Sequence, residues 1–139
     1  MILLVEDNPD DEALTLRALR KNQLRGEVRI ARDGREALRQ IDDSVPRLVL
    51  LDLKLPFLDG LQVLEAIRQN PRARHVPVVV LTSSGESNDI LAAYERGANS
   101  YIQKPVDFVQ FVDTARKLGE YWLEINQGPP TLQPSTGTT

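Results

Sequence analysis

Five short strand-like runs alternate with helix-length segments along this chain of 139 residues, and this alternation constrains the fold most strongly. The runs lie at residues 2–5, 28–31, 48–51, 76–81 and 100–103. The fourth run is wholly apolar and rich in valine, which is typical of a central strand covered on both faces. Because every connection is long enough for a helix, the sheet should be parallel, with right-handed crossovers and helices on both sides.

Helix signals occupy the connecting segments. Residues 33–36 and 59–62 match the capping-box pattern, and Gly97 is suited to end a helix in the left-handed conformation. The first helix is predicted over residues 10–22, and the last over residues 107–126, which corresponds to a length of about 30 Å. The order of elements predicts a three-layer α/β fold, a flavodoxin-like (βα)5 doubly wound parallel sheet with strand order 2-1-3-4-5.

Composition limits the classes of function. The net charge of −3 and the pI of about 5.2 argue against nucleic acid as the main partner. The absence of cysteine excludes disulfides, thiolate chemistry and zinc–sulfur sites, and it fits a cytoplasmic protein. The apolar runs are far shorter than a membrane span, and the first one is followed at once by acids, so it is a strand and not a signal peptide. Residues 1–126 are predicted to form one domain, and residues 127–139, rich in Pro, Thr and Gly, a disordered tail.

Polar side chains stand where the predicted strands end. Glu6 and Asp7 follow the first strand, Asp52 the third, Thr82 closes the fourth and Lys104 follows the fifth. In a parallel sheet these ends meet in one crevice, which is where open α/β sheets bind ligands. Carboxylates placed so close together repel unless they are protonated or hold a hard cation, and oxygen ligation suits Mg²⁺.

Such a set of groups is suited to phosphoryl transfer. A cation held by Asp7 and Asp52 would leave open positions for one phosphate oxygen, while Lys104 would pair with a second and the Thr82 hydroxyl would donate to a third. Asp52 is the natural nucleophile because a carboxylate can form an aspartyl phosphate. The only histidine, His75, lies in a charged loop and is predicted to be a surface residue.

With these residues in this order, the chain resembles the receiver domain of two-component response regulators. The resemblance covers residues 1–126 and implies that Asp52 accepts a phosphoryl group from a sensor histidine kinase in a Mg²⁺-dependent reaction. The domain would catalyse only its own phosphorylation and dephosphorylation. The implied site comprises a metal set of Glu6, Asp7, Asp52 and the backbone carbonyl of Lys54, the switch residues Thr82 and Tyr101, and a cis peptide bond between Lys104 and Pro105.

Three stretches resemble a narrower subgroup, the single-domain regulators that are partnered with bacterial phytochromes. They are residues 67–71, 76–82 and 121–123. In that subgroup dimers form through the last strand and helix, so the resemblance implies a homodimer and gives the long last helix a purpose. Phe108, Tyr121 and Trp122 are the predicted interface residues, although all three could instead be ordinary helix core.

Three alternatives remain open from the sequence. A phosphatase of the haloacid-dehalogenase type also uses a strand-end Asp with Mg²⁺, but it needs a second Asp two positions later, where this chain has Lys54. A flavin or nucleotide binder on the same fold would need a glycine-rich phosphate loop, and none occurs. A pseudo-receiver that only binds partners would be expected to lack part of the acidic site.

Overall fold

The sheet is parallel, and its strands lie in the order β2-β1-β3-β4-β5. The structure is a computed structural model that describes residues 1–21 and 27–130. Its strands are β1 (Ile2–Val5), β2 (Val28–Ala31), β3 (Leu48–Leu51), β4 (Val78–Thr82) and β5 (Ser100–Gln103). Its helices are α1 (Pro9–Lys21), α2 (Gly34–Asp43), α3 (Gly60–Gln69), α4 (Ser87–Glu95) and α5 (Phe108–Gly119). The predicted fold class and strand order are confirmed.

Apolar layers cover both faces of the sheet, so its central strands are buried on both sides. Leu3, Val49 and Val80 belong to one layer, into which α2, α3 and α4 pack. Their neighbours Leu4 and Leu50 belong to the other layer, together with side chains from α1 and α5. The alternation follows from the two-residue period of a strand. Because the strands are parallel and their carboxyl ends are paired in register, the residues following β1, β3, β4 and β5 emerge at one edge.

Local signals place the helices as predicted. Asp59 and Gln62 form a complete capping box at the start of α3. At α2, the Asp33 side chain accepts the Glu36 N–H at 2.8 Å. Gly97 has a φ of +99°, the left-handed conformation predicted for the end of α4. Gly60 serves a different purpose, since a Cβ there would lie 2.4 Å from the backbone oxygen of Asp52, and its absence lets α3 start against the end of β3.

The last helix is long, as predicted, but it changes its winding. After α5 the chain continues as a π-helical segment, Glu120–Ile125. Arg47 donates a side-chain hydrogen bond of 3.2 Å to the Leu123 carbonyl and so ties this segment to the loop before β3. The expected helix over residues 10–22 is present as α1, although residue 22 lies outside the described residues.

Residues 127–130 form neither helix nor strand, and the rest of the expected disordered tail, residues 131–139, lies outside the described part of the chain. Within residues 1–21 and 27–130, no helix has the length and apolar character needed to cross a membrane.

Candidate functional site

Asp52 is buried directly after β3, with 8% of its surface exposed. Its Oδ1 accepts hydrogen bonds from the Thr82 hydroxyl at 3.0 Å and from the Lys54 backbone N–H at 3.1 Å. Its Oδ2 lies 3.0 Å from Lys104 Nζ. Burial alone would raise the pKa of Asp52, but the Lys104 ammonium and the Lys54 N–H outweigh it and hold that pKa below its ordinary value. Asp52 is therefore an ionised carboxylate with both oxygens oriented.

Lys104 lies among three carboxylates. Its Nζ is 2.5 Å from Glu6 Oε1, 2.9 Å from Asp11 Oδ2 and 3.0 Å from Asp52 Oδ2. Burial alone would lower the pKa of this ammonium, but the carboxylate partners raise it above the ordinary lysine value. Lys104 thus stays charged and compensates part of the acidic cluster.

Glu6 is almost completely buried, with 1% of its surface exposed. Burial raises its pKa to about 7, against the lowering effect of Lys104 and with a further rise from the nearby Asp52 charge. The two strand-end acids therefore differ in charge state, since Asp52 is ionised while Glu6 can carry a proton near neutral pH.

The carboxylate oxygens of Glu6, Asp11 and Asp52 all lie within 4.8 Å of one another. Three carboxylates and one ammonium leave an excess of negative charge, and every donor in the group is an oxygen. This donor set fits a hard divalent cation such as Mg²⁺.

The structure does not bring Asp7 into this group, although the sequence predicted it as a metal ligand. Successive side chains of an extended segment point to opposite sides, so Asp7 is exposed when its neighbour Glu6 points into the crevice. Asp11, in the first turn of α1, comes in instead, and the Asn8 side chain caps that turn by accepting the Asp11 N–H at 3.1 Å. Asp11 was missed because acids in a first helical turn are also expected from the helix dipole.

The predicted cis bond between Lys104 and Pro105 is wrong. Within the described ranges, 1–21 and 27–130, every peptide bond is trans. The trans form is the lower in energy before proline, by ~0.5–1 kcal/mol. It is compatible with the site, since the Lys104 N–H donates to the Thr82 carbonyl at 2.7 Å while its side chain reaches the carboxylates. The metal-ligand role of the Lys54 carbonyl remains a prediction.

The two predicted switch residues lie on neighbouring strands. Thr82 is fully buried, and Tyr101 is half-buried on β5 opposite Val80. The Tyr101 hydroxyl donates to the Ser84 carbonyl at 2.9 Å, which ties β5 to the loop after β4. Burial raises the pKa of Tyr101. The Ser84 hydroxyl donates in turn to Asp89 at 2.6 Å and holds the same loop.

The predicted interface residues do not form one patch. Phe108 is half-buried under the Arg17 guanidinium, which lies 4.9 Å from its ring centroid. Tyr121 and Trp122 pack edge-to-face with their centroids 4.9 Å apart. They are about 14 residues further along, so roughly 20 Å of helix separates them from Phe108. Their interface role remains a prediction.

A model of a known protein family matches the part of the chain that contains the site residues. The model of the response regulator receiver domain matches residues 2–116. The chain belongs to this family. Its membership supports the receiver prediction over the phosphatase and flavin-binding alternatives.

His75, as predicted, is an exposed residue outside the acidic site.

Several relatives of this receiver domain match it over most of their own length. The probable methanogenesis regulatory protein FilR2 of Methanothrix harundinacea is 42% identical, covering 93% of this chain and 87% of the relative. Response regulator Rcp1 of Synechocystis is 37% identical, covering 89% of each, and its Mn²⁺-bound crystal structure matches with a TM-score of 0.84 over 93% of this chain and 98% of that one.

The phosphorylated cyanobacterial phytochrome response regulator RcpA gives a TM-score of 0.87 at 37% identity, covering 93% of this chain and 97% of the RcpA chain. The receiver domain thus has phytochrome response regulators among its homologues.

Proposed function

We propose that this receiver domain acts as a single-domain response regulator that accepts a phosphoryl group on Asp52 from a phosphohistidine of a sensor histidine kinase. The observation that carries the proposal is the surroundings of Asp52. One of its oxygens is hydrogen-bonded to Thr82 and the other to Lys104, so the carboxylate is ionised, oriented and flanked by two groups that can bind phosphoryl oxygens.

The chemistry follows from these contacts. A carboxylate oxygen of Asp52 attacks phosphorus, a P–O bond forms, and the P–N bond to the donor histidine breaks with its electron pair left on the imidazole nitrogen. The Thr82 hydroxyl and the Lys104 ammonium then move from the carboxylate to the phosphoryl oxygens, where negative charge is spread in the transition state. Glu6, Asp11 and Asp52, with the Lys54 carbonyl, would hold Mg²⁺, which neutralises charge on the incoming phosphoryl group when bound.

Output is proposed to pass through the last strand and helices. Movement of Thr82 toward the phosphoryl group would open space beside β5, and Tyr101 would turn inward after leaving the Ser84 carbonyl. The result is a shift in population between two packings of β5, α4 and α5. Exposed apolar side chains at the start of α5 (Val109) and on the π-helical segment (Tyr121 and Ile125) support a homodimer through the last helix.

The proposed kinase is a phytochrome, and the proposed setting is the cytoplasm. The support for the kinase is the likeness to RcpA and Rcp1, and the net charge of −3 supports a protein partner rather than nucleic acid.

Incubation with acetyl phosphate and Mg²⁺, followed by intact mass spectrometry, tests the proposal. We expect one hydroxylamine-labile phosphoryl group per chain, none in Asp52→Asn, and phosphotransfer from a phytochrome kinase but not from an unrelated sensor kinase. The proposal of phosphoryl acceptance fails if Asp52→Asn takes up phosphate at an unchanged rate. Failure of the wild type to take up phosphate from any donor would favour the pseudo-receiver, and turnover of a small phosphate monoester would favour the phosphatase.

A further inference from the structure

A second cavity lies at the opposite edge of the sheet from Asp52. Its volume is about 620 Å³, and it is lined by the loop before β3, the loop before β4, and the π-helical segment with the residues after it. Apolar side chains make up much of the wall, including Val45, Pro71, Trp122 and Pro129. The volume falls within the range of roughly 300–1,000 Å³ that is typical of small-molecule sites. The length of β3 separates it from Asp52, roughly 13 Å for four residues.

The side chains that line this cavity are mainly basic, whereas the protein as a whole is acidic. Arg47, Arg72 and His75 line it, against a single acid, Asp43. The chain as a whole carries a net charge of −3. Among the described residues, none of these three basic side chains takes part in an ion pair. The cavity therefore has uncompensated positive charge.

Both guanidinium groups are anchored by backbone carbonyls. One nitrogen of Arg47 donates to the Leu123 carbonyl at 3.2 Å, and one nitrogen of Arg72 donates to the Asp42 carbonyl. A guanidinium has five N–H donors, so each group keeps others for a ligand. Because both guanidinium groups are already held in place, binding an anion would require less ordering of flexible side chains.

Trp122 supplies an aromatic surface in the same wall. Its ring is held edge-to-face by Tyr121 at 4.9 Å between centroids. A planar ring stacked on an indole while its acid group meets an arginine is a common way to bind an aromatic anion.

We propose that this cavity binds a small planar organic anion, with the ring against Trp122 and the acid group on Arg72 and Arg47. The combination of a largely apolar wall, anchored cations without ion-pair partners and an aromatic ring carries the proposal. The site is independent of phosphorylation at Asp52 and does not rest on the proposed function. An extended acidic peptide is the competing occupant, but a volume of about 620 Å³, within the range of small-molecule sites, favours a small molecule.

The test uses 2-naphthoate as the probe and 2-naphthamide, its neutral counterpart of nearly the same shape, as the control. Trp122 is the only tryptophan of the chain, so its indole N–H gives one NMR signal that reports on the cavity wall. We expect 2-naphthoate to shift this signal saturably with a Kd at or below about 1 mM. The neutral amide should bind about tenfold more weakly, because it lacks the charge that Arg72 and Arg47 would meet.

Matched variants locate the anion. Arg72→Gln should weaken 2-naphthoate binding by about three- to tenfold, while Arg20→Gln, the same change on an exposed arginine outside the cavity, should leave it unchanged. Equal weakening by both variants would mean that only overall charge matters and would overturn the proposal. Equal binding of the two probes to the wild type, no saturable shift up to about 10 mM, or a shift only with an acidic peptide would overturn it without any variant.

Discussion

The two edges of this sheet treat charge in opposite ways. At the carboxyl edge, Lys104 is buried among Glu6, Asp11 and Asp52, and its single ammonium compensates part of the charge of the three carboxyl groups that lie within 3.0 Å of it. At the amino edge, the exposed arginines 47 and 72 donate to backbone carbonyls and have no ion-pair partner among the described residues. The free energy of folding should therefore depend strongly on the charged side chains at the carboxyl edge and only weakly on those at the amino edge.

This difference has a physical origin in burial. Charges removed from water must be paired, and breaking such a pair leaves an uncompensated ion in a low-dielectric site. Exposed charges are solvated and lose little when a partner is absent. The proposed movement of Lys104 and Thr82 on phosphorylation would take place within this buried ion cluster, so the response to charge changes there should be large.

The largest effect is expected for Lys104→Met. This change leaves Asp52 and Glu6 buried without their ammonium, and we expect a loss of about 3 kcal/mol in the free energy of unfolding, measured by urea denaturation without Mg²⁺. Lys54→Met, the same change on an exposed lysine beside the site, should lie within about 0.5 kcal/mol of the wild type. Equal midpoints for Lys104→Met and the wild type would contradict the contrast between the edges.

A smaller effect is expected for Glu6→Gln, and it depends on pH. The folded chain holds the proton of Glu6 with a pKa of about 7 against an ordinary value of 4.5, so the folded state binds more protons between these pH values. The wild type should therefore lose stability as pH rises from 4.5 to about 7 and change little above it. The loss should be about 1–2 kcal/mol after allowance for solvent screening.

The measurement is urea denaturation at several pH values in the presence of a chelator. Glu6→Gln should lack this slope. The difference in stability between the wild type and Glu6→Gln should therefore contain it, because the contribution of Asp52 is present in both and cancels. Glu65→Gln, on the exposed face of α3, serves as the control and should keep the slope. A slope of opposite sign would mean that Glu6 is ionised throughout.

The third effect decides between two candidate metal ligands. Asp11→Asn should weaken Mg²⁺ binding about tenfold, since it removes one of the three clustered carboxylates. Asp7→Asn, the matched change on the exposed neighbour of Glu6, should weaken it less. Calorimetric titration with Mg²⁺ measures both. The reverse order would show that the ligand implied by the family resemblance, Asp7, turns inward when the cation binds.

Much of this carboxyl edge was predictable from the sequence. The apolar runs ending on Asp52 and Thr82 predicted buried strands, and because parallel strands end at a common edge, the meeting of Asp52 with Thr82 and Lys104 followed. Asp59 and Gly97 predicted helix ends from local chemistry alone. The strand ends and the helix ends share one property, namely that a short stretch of residues determines each of them.

The rest depended on information that short stretches lack. Whether Glu6 or Asp7 faces the crevice is decided by the direction in which the chain leaves β1, and Asp11 enters only because α1 begins at Pro9. The cis bond before Pro105 is a separate case, because it was taken from the family resemblance, whereas the local preference before proline is trans. The amino-edge cavity combines three segments far apart in sequence, so neither Arg72 nor Trp122 indicated it.

The smallest effect is expected at the amino edge, for Arg47→Gln. The change removes one hydrogen bond from an exposed guanidinium to the Leu123 carbonyl, and the carbonyl can bind water instead. The free energy of unfolding should fall by no more than about 0.5–1 kcal/mol, and it should not change with pH between 5 and about 8. Urea denaturation of the wild type and of Arg47→Gln, with Arg20→Gln as the control, measures this loss of stability. A loss as large as that of Lys104→Met would mean that Arg47 holds the π-helical segment to the sheet through a contact as costly to break as the buried ion cluster, and the contrast between the two edges would no longer hold.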